Sequence, residues 1–408
     1  MNGTAAVVIE RVGPYHLARM RALGQRLGGR LHVIEVCASD KTYAWESVES
    51  GGPFERTTLF DAESSIGGAP RLWAAMSAAL DSASPDVVAT PGWGYPASLT
   101  ALSWSRRRSC PAVIMSDSNE HDGQRRPAME TLKRLIVRSA SAGFVAGAPQ
   151  KRYLQRLGMA SDQIVSGYDV VDNEHFAQGA RRARSASAEV RRRLDLPASY
   201  FLYLGRFVEK KNLARLIDSY ARLLTTAPAT PDLVLVGDGP LRPQLVEQVE
   251  RRGLSRRAHF RPFAQYDAIP SYLGLARALV LPSVVDQWGL VVNEAMAAGV
   301  PPLVSERCGC VEDLVIDGRT GIRLDPLSID SIANALSRVC DGACAEPLGA
   351  AAQEHVASWT PETFAAGFLK AAEIAMQVTS PPGIASSLFL RSVASYQLKR
   401  SAAHPATV

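Results

Sequence analysis

Along the chain, short apolar or β-branched runs alternate with longer stretches whose apolar residues recur at helical spacing. The runs Ala5–Ile9, Leu31–Val36, Asp86–Thr90, Ala112–Ser116 and Gly143–Ala146 read as strands. His16–Leu27, Leu72–Ser82, Ser98–Arg107 and Pro127–Ser139 read as helices around them. A second strand–helix series holds Tyr200–Leu204, Leu233–Val236, Ala258–Phe260, Leu279–Leu281 and Pro302–Val304. Such alternation predicts parallel sheets with crossover helices. Two series in tandem, with no short-period repeat, predict an α/β chain of two Rossmann-like, doubly wound domains facing each other across a cleft.

The pattern sets the expected domains at 1–178 and 196–359, joined by a linker at 179–195. Within it, Gln178–Glu189 (QGARRARSASAE) is small, polar and basic without apolar periodicity, and a helix is expected only at Val190–Leu194, before Pro197. Thr360–Gln377 opens on Thr-Pro-Glu, an N-cap followed by proline at the first helical position. This helix, 360–378, is expected to cross back to the first domain. Ser380–Gly383 should then break the chain, leaving 379–408 as a weakly amphipathic tail without an assigned role.

The chain has 408 residues, 47% of them hydrophobic and 21% charged. A single core stops growing at about 250–300 residues, which agrees with two domains. The opening MNGTAAVVIERVG lacks the basic and apolar regions of a signal peptide, and no apolar run approaches the roughly 18 residues of a membrane span. A cytoplasmic protein is therefore expected. Cys37, Cys110, Cys308, Cys310, Cys340 and Cys344 lack the partners of a zinc site and read as reduced structural thiols.

The net charge of +5 comes entirely from residues 1–195, which carry 25 Lys/Arg against 20 Asp/Glu. Residues 105–160 alone hold 11 basic and four acidic side chains. This patch could attract anionic lipid headgroups or an acidic acceptor, placing the protein at the periphery of the inner membrane face, or it could be a set of solvated helix faces. No aromatic-interleaved basic strand or recognition helix suggests a nucleic-acid partner.

Three segments carry candidate chemistry. In YFLYLGRFVEKKNL, a strand runs into Gly205-Arg206, and Lys211 follows five residues later. Glycine allows a sharp turn at the strand's C-terminal end, where doubly wound sheets bind ligands. A guanidinium and an ammonium converging there suit a diphosphate. In LVLVGDGPL, Gly237 and Gly239 flank Asp238 and would let a ligand approach main-chain amides. Either motif alone could be a tight surface turn. In LPSVVDQWGLVVNEAMAAGVPP, Asp286 lies in a loop and Glu294 on a helix predicted from Leu290 to Ala298. The amides of Trp288, Gly289 and Leu290 would meet an anion at that helix's N-terminus.

The order Gly-Arg-x4-Lys, Gly-Asp-Gly-Pro, Asp-x7-Glu and Ala-Met-Ala-Ala-Gly-Val-Pro over roughly 200–325 resembles the C-terminal domain of family 4 glycosyltransferases with the GT-B fold. Upstream, Val171-Asp172-Asn173-Glu174-His175-Phe176 stands where that family has its interdomain signature. The resemblance implies a nucleotide-sugar donor held by the second domain, and a glycan, lipid-linked or small-molecule acceptor approached from the first. Arg206 and Lys211 would bind the donor pyrophosphate, with Lys210 as the alternative if the register differs by one. Glu294 would bind the ribose, and Asp286 with the amides of Trp288, Gly289 and Leu290 would contact sugar and phosphate. Gly205, Asp238 and Gly239 would complete the donor side.

The same resemblance implies retention of anomeric configuration, a hexose-type sugar, no metal and no cofactor, the nucleotide sugar being a substrate. The donor phosphate itself would help deprotonate the acceptor. Two departures stand out. The first loop acid is Asp286 where the family usually has Glu, and the first loop keeps a single Gly13 where the family often has Gly-Gly. Asp117 occupies the place of a family histidine near the sugar, with His121 nearby, and His16 follows Gly13. Gly13 is thus a donor-phosphate candidate, Asp117 a catalytic one, and His16 and His121 are acceptor-side candidates. A nucleotide-sugar epimerase on the same fold and an inactive nucleotide-binding subunit are the competing readings. A Rossmann dehydrogenase is disfavoured, because the first loop lacks Gly-x-Gly-x-x-Gly.

Overall fold

The computed structural model describes residues 3–39, 46, 48, 51–378 and 383–403. The chain forms two compact units, the first from 1–120, 124–170 and 361–408, the second from 121–123 and 171–360. Most of the chain break expected at 380–383, and the end of the polar tail, lie outside the described residues.

In the first unit the strands are β1 (Ala5–Ile9), β2 (Leu31–Ser39), β3 (Glu55–Ala62), β4 (Val87–Pro91), β5 (Ala112–Ser116), β6 (Ala142–Val145) and β7 (Ile164–Ser166). They form one parallel sheet in the order β3-β2-β1-β4-β5-β6-β7. Helices α1 (Pro14–Arg26), α2 (Ala69–Ala83), α3 (Pro96–Arg108), α4 (Pro127–Val137) and α5 (Ala148–Arg156) cover it. The strand order reverses between β1 and β4, so the loops after these two strands diverge at the sheet's C-terminal edge. The periodicity does not reveal β3. Its sequence ERTTLFDA is mostly polar because it is an edge strand with one buried residue, Phe60.

The second unit begins with α6 (Asn173–Ser185) and α7 (Ser187–Leu194), so the linker expected at 179–195 is instead helical. The misreading has a packing cause. The buried face of α6 is Phe176, Gly179, Ala180 and Ala183, which keeps helical spacing but is built mostly from small residues. They are small because α10 (Ile269–Gly274) lies against them. A Cβ on Gly179 would come within 2.4 Å of Pro270, and one on Gly274 within 2.7 Å of the Ala180 backbone. Asp172 caps α6 by accepting the His175 amide at 3.1 Å.

Strands β8 (Tyr200–Leu204), β9 (Asp232–Val236), β10 (Ala258–Arg261), β11 (Ala278–Leu281), β12 (Pro302–Ser305) and β13 (Ile322–Leu324) form the second parallel sheet, ordered β10-β9-β8-β11-β12-β13. With them run α8 (Leu213–Thr226), α9 (Arg242–Arg251), α11 (Leu290–Ala297), α12 (Val311–Leu314), α13 (Ile329–Ser337) and α14 (Gly342–Val356). Here the order reverses between β8 and β11. The loops after these two strands carry the first and third sequence motifs.

Helices α15 (Pro361–Gln377) and α16 (Ile384–Ala403) belong to the first unit. Phe364 and Phe368 of α15 pack on Phe144 of β6, with ring centroids 5.2 and 6.4 Å apart. The segment expected to be a tail is mostly helix α16, which lies along α3 through buried Ser387, Leu390 and Ala394. Among the described residues, no helix is long and apolar enough to cross a membrane.

Candidate functional site

The first motif leaves β8 through Gly205, whose φ of +150° favours glycine. Arg206 is exposed, and its carbonyl accepts the Tyr203 hydroxyl at 2.8 Å. Burial pushes the Tyr203 phenol well above its ordinary pKa, reinforced by Asp286 and Cys308, so it stays a neutral donor to that turn. The second motif supports the first through backbone alone. Gly205 donates to Val236 O at 3.0 Å, and Phe207 donates to Asp238 O at 2.8 Å. A Cβ on Gly237 would lie 2.0 Å from the Gly205 carbonyl, and one on Gly239 2.5 Å from that of Phe207. Both glycines also have φ near +140 to +156°. Close approach of these two strand-end loops is therefore what the glycines permit. Asp238 is exposed and its carboxylate accepts the Gly239 amide at 2.8 Å.

The third motif meets the first directly. Lys211 Nζ lies 2.6 Å from Asp286 Oδ2, and both side chains are mostly buried. Ser283 Oγ donates to the same carboxylate oxygen at 3.1 Å. The backbone follows the same seam, since the Val284 amide donates to Lys210 O at 2.9 Å. The register thus puts Lys211 on Asp286, while Lys210 is exposed. Asn212 holds the turn in a left-handed conformation (φ +61°), and its amide donates to Pro282 O and Pro326 O at 3.1 and 2.7 Å.

Helix α11 opens on Gly289, at φ +99°, with Leu290 as its first helical residue. The Trp288 amide precedes the helix, so the end amides are those of Gly289, Leu290 and Val291, one residue later than expected. Trp288 is buried, donates through Nε1 to Asn293 Oδ1 at 2.9 Å, and packs 5.4 Å from Trp359. Glu294 is 2% exposed and lies one turn into α11. The loop before the helix is strapped from outside by Cys308-Gly309-Cys310. Gly309 N–H donates to Asp286 O and Cys310 N–H to Trp288 O, each at 3.1 Å. Burial, then Asp286 and Cys310, raise the Cys308 thiol well above its ordinary pKa, consistent with a structural, protonated thiol.

Four contributors were missed in the sequence: Ser283, Tyr203, the Cys308–Cys310 strap and Arg242. Arg242 Nη1 donates to Gly237 O at 3.1 Å, and its guanidinium lies 5.9 Å from the Phe207 ring. Only Arg242 had a usable signal, as a cation just after Gly-Asp-Gly-Pro.

The candidates at 13–16 and 117 lie in the first unit. The Gly13 amide donates to His16 Nδ1 at 3.3 Å, capping α1. Burial, and then the charge of Arg19, push the His16 pKa down to about 3. His16 is therefore a neutral imidazole whose Nε2 carries the proton, suited to donating a hydrogen bond and poorly matched to general-base work near neutrality. A lowered folded pKa stabilises the protein above about pH 6.5, and the gain is lost as pH falls from there towards 3. Replacing His16 with glutamine is expected to flatten the acid side of a stability-versus-pH curve over that window, read by urea unfolding.

Asp117 is half-buried just past β5. The Tyr168 phenol is raised chiefly by burial, against Arg19, with Asp169, Asp117 and Tyr95 adding to the rise. His121 is exposed. The basic segment 105–160 is partly neutralised by its own acids and by Asp81 of α2. Lys133 and Arg125 bond Glu130 and Tyr153, while Arg156 pairs with Glu120 and Arg108 with Asp81.

Residues 188–354 match the family described as glycosyl transferases group 1, and residues 16–166 match the glycosyl transferase 4-like domain. The chain belongs to the family 4 glycosyltransferases of the GT-B fold. Alpha-D-kanosaminyltransferase of Streptomyces kanamyceticus is 30% identical over 215 residues, 53% of this chain and 55% of that protein. Glycogen synthase of Mycobacterium tuberculosis is 27% identical over 287 residues, 67% of this chain and 65% of that protein. The chain thus spans between about half and two thirds of the length of these relatives. HepE of Anabaena, in complex with UDP, superposes with a TM-score of 0.69 at 16% identity, covering 90% of this chain and 98% of that one.

Proposed function

We propose that this glycosyltransferase moves a hexose-type sugar from a nucleotide-sugar donor to a glycan, lipid-linked or small-molecule acceptor, with retention of configuration and without a metal. The observation that carries this reading is the seam between the β8 and β11 loops. It gathers Lys211, Asp286 and the α11 N-terminus at the edge where the strand order of the second sheet reverses, with Glu294 one turn into α11. In this reading Lys211 and Arg206 take the donor diphosphate, Glu294 the ribose hydroxyls, and Asp286 the sugar. The amides of Gly289, Leu290 and Val291 receive charge as the diphosphate departs. Gly205, Asp238 and Gly239 shape the approach of the phosphates, and Trp288 fixes the α11 entry.

Nothing in this scheme needs an enzyme nucleophile. The departing phosphate oxygen accepts the acceptor's proton, and the residues supply position and counter-charge. Asp117 and His16, both of the first unit, would orient the acceptor. The protein is expected in the cytoplasm, with a nucleoside diphosphate as product. HepE's complex with UDP makes uracil the first base to test.

Because protein cations neutralise the diphosphate, sugar transfer is expected to persist in a strong chelator. Loss of activity in EDTA, restored by Mg²⁺ or Mn²⁺, would contradict the metal-free mechanism. Product anomer analysis by NMR tests retention separately.

A further inference from the structure

Helix α16 packs against the first unit with one side and leaves the other uncovered. Ser103 Oγ donates to Ser387 O at 2.9 Å, Gly383 N–H donates to Arg106 O at 2.9 Å, and Gln397 Nε2 donates to Trp93 O at 3.0 Å. These bonds run α16 antiparallel along α3. Arg391 lies 4.4 Å over the Trp73 ring and ties it to α2. The opposite side shows Ile384 at 70%, Leu388 at 57% and Tyr396 at 66% exposure. With Ser392 these residues recur every fourth position, so they line one helix face about 18 Å long. The next position on that face is Arg400, and Lys399 adjoins it. Both are exposed, as is Arg107 at the α3 end where α16 begins.

The charge around this face is predominantly positive. Residues 374–408 contain Arg391, Lys399 and Arg400 and no acid. Helix α3 contributes Arg106, Arg107 and Arg108, also with no acid. Helix α2 carries Arg71 and one acid, Asp81, which is occupied by Arg108 at 2.8 Å and the Trp104 indole at 2.9 Å. A self-associating face or an ordinary solvated helix would gain from mixed charge. An apolar stripe ending in tyrosine, with cations at both ends, no acid on its own helix or α3 and the one acid of α2 already paired, is complementary to an interface that is apolar below and anionic above.

We propose that this face of α16 docks the protein on anionic lipid, with Ile384, Leu388 and Tyr396 entering the headgroup boundary and Arg107, Lys399 and Arg400 meeting lipid phosphates. This assigns membrane contact to the C-terminal helix rather than to α4, whose Lys133 is committed to Glu130 and Tyr153. It stands independently of the donor-site reading.

The test is co-sedimentation of the full chain with phosphatidylcholine vesicles, with and without phosphatidylglycerol, at low and physiological salt. The protein is expected to bind only the anionic vesicles, and more weakly as salt rises. A triple variant, Ile384→Ser, Leu388→Ser and Tyr396→Ser, is expected to bind at least about tenfold more weakly, because lost apolar burial lowers interfacial affinity. Its circular dichroism should match the wild type, since the three side chains face solvent. Lys399→Glu with Arg400→Glu should lose binding and its salt dependence together. Absence of wild-type binding at low salt, or undiminished binding by the triple variant, overturns the proposal. Light scattering that shows a dimer abolished by the triple variant would give the face to a second copy and equally overturn it.

Discussion

Replacing Lys211 with alanine is expected to lower sugar-transfer turnover by about 10²–10³-fold, equivalent to about 2.7–4 kcal/mol, the range seen when one preorganised donor to a developing anion is removed. The cause is local. Lys211 is the mostly buried ammonium of the seam, 2.6 Å from Asp286, whereas Arg206 is exposed at the same strand end. Folding should survive, because Asp286 retains Ser283 and the loop keeps its backbone bonds to Lys210 and Cys308–Cys310. Glu294→Gln is expected to act differently, raising KM for the donor by about tenfold or more through loss of a charge-assisted hydrogen bond. Steady-state kinetics with circular dichroism as a folding control checks both. Wild-type turnover in both variants would remove these residues from the site.

Asp286→Asn is expected to separate nucleotide binding from transfer. Asp286 holds the Lys211 ammonium; if that ammonium binds the diphosphate as proposed, an incoming phosphate must compete with the carboxylate and then sit beside a like charge. Neutralising it should tighten binding of the free nucleoside diphosphate by about tenfold, roughly 1.4 kcal/mol, within the range of a partly buried ion pair. The same change should slow turnover, because the sugar loses an acceptor for its hydroxyls and the product leaves more slowly. Calorimetric titration against turnover reads both effects. Weaker nucleotide binding in the asparagine variant would contradict this role, and would mean that the pair chiefly orders the loop. In the proposed site, Asp286 would thereby promote product release as well as hold the sugar.

Much of this was legible from residue pattern. Continuous apolar runs located the buried strands, because a strand covered on both faces has little polar alternation to confuse the reading. Glycine-bearing strand ends marked the loops that meet at the C-terminal edge of the second sheet. Failures came where packing used unusual materials. Helix α6 hides its buried face in Gly179, Ala180 and Ala183, since close contact with α10 leaves no room for larger residues. Strand β3 hides at a sheet edge. The Lys211–Asp286 pair was beyond reach for a different reason. The two residues are 75 positions apart, and each motif implied a ligand contact without implying that the motifs touch. The Cys308–Cys310 strap was likewise invisible, because it acts through backbone groups that every sequence possesses.

The proposed donor site in the second unit is tested most directly by thermal unfolding with UDP, GDP and ADP and their hexose conjugates. One nucleotide is expected to stabilise the wild-type chain by about 2.7 kcal/mol at a hundredfold excess over Kd. That stabilisation should vanish in the Lys211→Ala, Glu294→Gln double variant while the unliganded protein remains folded. Failure of every nucleotide to stabilise the wild type, or equal stabilisation of the double variant, would contradict the account.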